Sequence, residues 1–272
     1  MNVLEVKELC IAYYGKDAVK DVSFTVPENK IVAIVGESGS GKSTVIKAII
    51  KLLSSGGEFI GGNILFNGKD ITRLPDEQMR KIRGEEIAMI FQDGGAYLNP
   101  RLKIGSQYLE MLLAHQAISK LKAKELATKM LAKLKLADPE RIMKSYPFQL
   151  SGGMKQRVSI AMAMSMEPKL LLADEPTSAL DVTVQAQVVQ EMMTLRDELG
   201  TSVIIVTHNM GVASRMADYI AVMCEGELME FGTRDQVIGA PKSDYTKTLL
   251  SVVPELKEVN LEEHITAYSR QN

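Results

Sequence analysis

Gly36-Glu37-Ser38-Gly39-Ser40-Gly41-Lys42-Ser43 follows the apolar run Ile31–Val35 and precedes residues 43–53, whose Val45, Ile46, Ile49 and Leu52 recur at helical spacing. The octet satisfies G-x-x-x-x-G-K-[ST] between a predicted strand and a predicted helix. Glycines there let consecutive backbone N–H groups converge on phosphate oxygens, and the helix N-terminus adds favourable partial charge. Lys42 suits the β and γ phosphates, and the Ser43 hydroxyl suits Mg²⁺. Such a match arises by chance in roughly one chain in a hundred of this length, before the strand–helix setting is counted. The octet implies ATP or GTP and an α/β fold.

Working outward, residues 3–11, 22–26 and 31–35 read as short strands. Residues 63–66 form another, closed by the Asn67-Gly68 turn signal, and residues 87–91 another. Residues 104–136 are rich in Leu, Lys, Ala and Met at helical spacing, and Ser151 is a good N-cap for a helix over 151–166. After Pro168 the alternation returns: strands at 170–173 and 203–206, a helix at 182–199, part of one at 212–217, and a strand pair at 219–224 and 227–231. This pattern predicts a nucleotide-binding α/β unit over residues 1–240, interrupted by a helical insertion at about 93–166. Residues 241–272 then form a short extension with a helix near 245–252 and a mobile tail.

Composition removes other classes. The formal net charge is −2, Trp is absent and aromatics make up 5%, so neither the overall field nor base stacking favours nucleic acid. Cys10 and Cys224 are too few for a disulfide framework or a four-ligand metal site, and read as reduced core thiols. The sixteen Met read as gap-filling core. The N-terminus lacks signal-peptide features, and no run approaches the roughly 18 apolar residues of a spanning helix. The expectation is a chain soluble on its own, with any membrane role reached through a partner.

Further chemistry lies downstream. Leu170-Leu171-Leu172-Ala173-Asp174-Glu175 is an apolar strand ending in two acids. Asp174 there suits the Mg²⁺ shell and Glu175 suits polarising an attacking water. Leu150-Ser151-Gly152-Gly153-Met154-Lys155-Gln156-Arg157 puts Ser and two glycines at a helix start, a second phosphate-binding terminus in one chain. One nucleotide cannot easily use both, so the second serves ATP held by another subunit; alone, it also reads as an ordinary cap. Gln92 follows the 87–91 strand, where it can report on the metal and the γ-phosphate. His208 follows the strand at 203–206, at the sheet end where ligands gather.

This order of motifs resembles the nucleotide-binding subunit of the ABC transporter superfamily. The resemblance implies a P-loop NTPase fold of ABC type, with an inserted helical subdomain and an antiparallel β subdomain. It implies Walker A over residues 36–44, so Gly36, Glu37, Ser38, Gly39, Ser40, Gly41, Lys42, Ser43 and Thr44 would contact nucleotide. Gln92 would be the Q-loop, and Ser151, Gly152, Gly153 and Gln156 belong to the signature motif. Asp174 and Glu175 close Walker B, Asp181 the D-loop, and His208 is the H-loop. Tyr13 would stack on adenine, with Tyr14 beside it as the alternative. Ser43, Gln92 and Asp174 would hold Mg²⁺; Glu175, His208, Lys42 and Gln92 would act in catalysis.

Within the superfamily, residues 87–93, Leu98-Asn99-Pro100 and residues 179–187 are similar to the oligopeptide/dipeptide/nickel import branch. That branch implies a second, non-identical ATPase, two transmembrane permeases and an extracytoplasmic binding protein. It also implies a peripheral place at the cytoplasmic face of the membrane. Gly94-Gly95-Ala96-Tyr97 departs from the branch's Pro-led segment, and Asp244-Tyr245-Thr246 lacks a preceding His-Pro. No cysteine-rich tail of the kind that holds an iron–sulfur cluster in several relatives occurs. These departures leave peptide and metal-chelate cargo open and tilt toward nickel or a metallophore. Two rivals carry less weight: a soluble ABC ATPase acting on ribosomes or DNA, and a binding-only subunit, which would have lost Glu175 or the signature Ser, both present here.

Overall fold

The computed structural model describes residues 1–178 and 180–251. Two long strands, β1 (Asn2–Tyr13) and β2 (Lys16–Pro27), pair antiparallel and are joined by β4 (Gly57–Phe66) and β5 (Lys69–Asp70) in a four-stranded sheet ordered β2-β1-β4-β5. Both opening strands outrun their predicted lengths. The first six residues of β4 give no strand signal because they include Gly57, Gly61 and Gly62. Gly62 has φ 91°, and a Cβ there would lie 2.3 Å from the Glu8 carbonyl oxygen, so the strands meet at a bulge only glycine fits.

The second sheet is ordered β10-β9-β3-β8-β7-β6. Its members are β3 (Ile31–Val35), β6 (Ile87–Ile90), β7 (Leu170–Asp174), β8 (Ser202–Thr207), β9 (Tyr219–Cys224) and β10 (Glu227–Thr233). All neighbours run parallel except β9 and β10. Period two fixes its packing. Ile31, Ala33, Val35, Leu171, Ala173, Val203 and Ile205 face one apolar cluster; Val32, Ile34, Leu170, Leu172, Ile204 and Val206 face the other. Strands buried on both faces need continuous apolar runs, and these have them.

Helix α1 (Lys42–Ile49) lies on the second face, burying Val45, Ile46 and Ile49; each such side chain contributes about 1.5–3 kcal/mol. It stops short of the predicted residue 53, because the Arg83 guanidinium takes the carbonyls of Ile50 and Lys51 at 2.8 and 3.1 Å. A short helix α2 (Asp76–Ile82) leads to Arg83. The Lys- and Leu-rich stretch is two helices, α3 (Ile104–His115) and α4 (Lys120–Lys133), the second capped by Ser119. Next come α5 (Pro139–Lys144) and α6 (Gly152–Met164). The buried Tyr108 hydroxyl meets Ser165 Oγ at 2.6 Å, tying α3 to the end of α6.

Helices α7 (Val182–Leu199), α8 (Met210–Met216), α9 (Arg234–Gly239) and α10 (Asp244–Ser251) complete the described residues. Arg157 on α6 pairs with buried Glu191 on α7 at 2.8 Å. Burial raises the Glu191 carboxyl and the arginine opposes that rise. The cysteines are free but half-buried rather than core thiols: Cys224 ends β9, and Cys10, within β1, accepts at Sγ from the Asp21 N–H at 3.3 Å. Val252 and the predicted tail lie outside the described residues.

Candidate active site

Four parallel strands deliver the candidate residues to one sheet edge. β3 runs into the glycine-rich loop, β6 is followed by Phe91 and Gln92, β7 ends at Asp174, and β8 is followed by His208. In a parallel sheet all carboxyl ends lie on the same side, which is why residues 36–43, 92, 174–175 and 208 can meet.

The loop is built against the sheet. Gly36 has φ 148°, and a Cβ there would fall 2.1 Å from the Met223 carbonyl oxygen, so any larger residue would push the loop off β9. Gly41, in left-handed conformation, caps α1 and leaves the helix's first N–H groups facing the loop. Lys42 is 5% exposed and folds back over the loop: Nζ donates to Gly36 O at 2.9 Å, to Glu37 O and to Ser40 Oγ at 3.3 Å. Burial lowers its pKa, and the carboxylates of Glu175, Asp174 and Glu37 oppose that.

Ser43 Oγ donates to Asp174 Oδ1 at 2.7 Å. Burial raises the Asp174 pKa, with the Ser43 bond and nearby Lys47 pulling the other way. These two groups fit Mg²⁺. They supply a hydroxyl and a carboxylate oxygen, the hard oxygen donors this ion takes. Mg²⁺ binds with few protein oxygens and completes its shell from phosphate and water.

Glu175 stands next, at φ 44°, a strained setting for a non-glycine residue. Its Oε1 meets His208 Nδ1 at 3.1 Å and its Oε2 accepts from Gln92 Nε2 at 3.2 Å. The three candidate catalytic side chains outside the loop thus form one bonded group, with His208 61% exposed at its outer edge.

Ser151 is the N-cap of α6, its Oγ accepting from the Met154 N–H at 3.3 Å. Ser151 and Gly152 are exposed, and a Cβ on Gly152 would meet nothing within 4 Å. Among the described residues, no hydrogen bond joins residues 150–157 to residues 36–44. Gln156 departs from expectation. It is 5% exposed and turned beneath the loop after Gln92, with its Oε1 2.9 Å from where a Gly94 Cβ would lie. Being one helical turn inside α6 takes it away from the exposed rim that Ser151 occupies. Asp181 is exposed and caps α7, accepting from the Val184 N–H at 3.0 Å; Ala179 lies outside the described residues.

The two tyrosines differ. Tyr13 packs against the second apolar cluster, whereas Tyr14, at φ 50°, is 79% exposed. Sequence reasoning also missed an apolar groove of about 300 Å³ beside Gln92, lined by Leu52, Met89, Phe91, Tyr97 and Met111, with Phe91 and Tyr97 stacked at 4.2 Å. Its walls come from four separate segments, and no local pattern announces it.

Fold and site together define a P-loop nucleotide-hydrolysing cassette, and comparison with known proteins agrees. A family profile described as ABC transporter matches residues 19–178. The chain is 46% identical to the oligopeptide transport ATP-binding protein OppD of Bacillus subtilis strain 168, over 98% of this chain and 75% of that one. It is 45% identical to the dipeptide transport ATP-binding protein DppD of the same organism, over 94% and 78%. Among solved structures, a dimeric ATP-binding cassette in a post-hydrolysis state with ADP and Pi superposes at TM-score 0.75 with 30% identity, covering 85% of this chain and 98% of that one. The chain belongs to the ABC transporter family of ATP-binding proteins and is an ATPase of that type.

Proposed function

We propose that this chain energises a membrane importer for peptides, working as a dimer with a paired, non-identical ATPase on two permease subunits fed by an extracytoplasmic binding protein. The observation that carries the reading is the convergence of the Lys42 loop, the Ser43–Asp174 pair and the Gln92–Glu175–His208 group at one sheet edge, with the Ser151 helix start facing outward elsewhere. The relatives named for oligopeptide and dipeptide transport favour peptide over the nickel or metallophore cargo that the departures at residues 94–97 and 244–246 suggested.

In this reading residues 1–240 form the ATPase unit with a helical insertion at about 93–166, and residues 241–272 a short extension. Residues 36–44 cradle the triphosphate, and Lys42 exchanges its loop partners for phosphate oxygens. Ser43, Asp174 and Gln92 would hold Mg²⁺, which when bound neutralises charge on the β and γ phosphates. Glu175 orients and polarises the attacking water, with Gln92 and His208 fixing its two oxygens. His208 then contacts the γ-phosphate. Ser151, Gly152 and Gly153 complete the partner's site, with Asp181 at the same interface. The apolar groove beside Gln92 receives a cytoplasmic helix of a permease. Membrane contact runs through the permeases alone; no described helix is long and apolar enough to cross a membrane.

Adenine stacking falls to Tyr14, whose ring rests against Gly56 but is otherwise exposed, rather than to Tyr13. Tyr14→Ala should weaken ATP binding by about 1–3 kcal/mol in a direct titration, while Tyr13→Ala should lower the melting temperature instead. The reverse pattern would return the role to Tyr13. The importer reading is tested by ATPase assay of the reconstituted complex with binding proteins loaded with peptide or chelated nickel. Stimulation by peptide is expected; stimulation by nickel alone would reassign the cargo, and stimulation by neither would contradict import.

A further inference from the structure

The last described helix, α10, reaches the phosphate loop by a contact that belongs to none of the motifs. Glu230 on β10 accepts from the Lys242 N–H at 2.9 Å and the Ser243 N–H at 3.0 Å, so one carboxylate fixes the entry to α10. Tyr245, Leu249 and Leu250 pack against the first apolar cluster, and Thr246 is fully buried. From this anchored helix the Tyr245 hydroxyl accepts from the Glu37 N–H at 3.4 Å, across 208 positions of sequence.

A trans peptide unit is planar and rigid, so its C=O and N–H point in opposite directions. In the unit joining Gly36 to Glu37, the carbonyl takes Lys42 Nζ at 2.9 Å and the N–H takes the Tyr245 hydroxyl. The two side chains grip opposite ends of one plane. Gly36 lies close to β9 on one side, where a Cβ would fall 2.1 Å from the Met223 carbonyl oxygen. On the far limb the Gly226 N–H donates to Ser40 O at 3.2 Å, so the loop is held from outside at two points, both supplied by the chain after residue 224.

We propose that Tyr245 is a positioning residue of the phosphate site: its hydroxyl fixes the Gly36–Glu37 peptide, and that peptide's carbonyl sets where the Lys42 ammonium waits. The inference rests on Lys42 being a phosphate ligand. Reciprocity follows from linkage: a nucleotide that draws Lys42 off the Gly36 carbonyl changes the hold on Tyr245, so α10 senses occupancy of the loop.

The test compares the full chain with Tyr245→Phe and Lys42→Ala, by ATP titration and steady-state ATPase assay. Phenylalanine keeps the ring's packing and removes only the hydroxyl. The expected result for Tyr245→Phe is an ATP KM raised about 3–10-fold, more than any fall in kcat, with little change in melting temperature. Hydrogen exchange over residues 244–251 should respond to ATP in the parent chain and lose most of that response in Tyr245→Phe. If Lys42→Ala loses tight ATP binding while Tyr245→Phe matches the parent in KM and exchange, the positioning role is wrong and the phosphate-loop reading stands. If Lys42→Ala binds ATP normally, that reading fails and the inference fails with it.

Discussion

Replacing Glu175 with glutamine is expected to lower ATP turnover by about 10²–10⁴-fold while ATP still binds. The carboxylate has one oxygen on His208 and the other on Gln92, at 3.1 and 3.2 Å, so its orientation is set from both sides. Glutamine preserves the shape and removes the charge that polarises water. The phosphate ligands, Lys42 and the loop N–H groups, are untouched. ATP should therefore accumulate unhydrolysed and hold the closed dimer together. A single-turnover assay with radiolabelled ATP, run beside size measurement, reads both effects; turnover near the parent rate would remove Glu175 from the chemistry.

The second large effect is expected from Ser151→Arg. Ser151 caps α6 at an exposed helix start, and no described hydrogen bond connects that segment to the chain's own phosphate loop. An arginine there fills the space a neighbour's triphosphate would enter and removes the capping oxygen, which itself costs about 1 kcal/mol. ATP affinity of the isolated monomer should stay within about twofold, whereas ATP-driven dimer closure should weaken by about 10²-fold or more, as the bulk of the arginine displaces a serine from a tightly packed contact. Sedimentation with and without ATP separates the two quantities. Closure that survives the change would show that α6 of this chain does not complete the partner's site.

What could be read in advance follows from how local each signal is. The phosphate loop, the acidic end of β7 and the serine cap of α6 are short patterns whose backbone and chemistry are fixed within ten residues, so their places were legible. The doubly buried strands β3, β7 and β8 announced themselves as unbroken apolar runs. Half of β4 was illegible because glycines that accommodate a bulge look like turn signals. Gln156 sits in the signature stretch, yet helical phase turns it inward against the Gly94 segment, and a motif does not encode phase against a distant loop. The α3–α4 region read as one long helical pattern because its break at residues 116–119 contains no glycine or proline. The groove beside Gln92 and the Tyr245 contact join segments tens to hundreds of positions apart, and only the fold brings them together.

The account depends on a triphosphate held between two polypeptides, and the distance from Ser151 Oγ to that triphosphate measures this directly. In a structure of the ATP-loaded Glu175→Gln assembly, Ser151 Oγ should lie within hydrogen-bond range, about 3 Å, of a phosphate oxygen seated in the opposing subunit's loop. A nucleotide bound in every loop with Ser151 in open solvent, beyond about 10 Å from any phosphate, would contradict it.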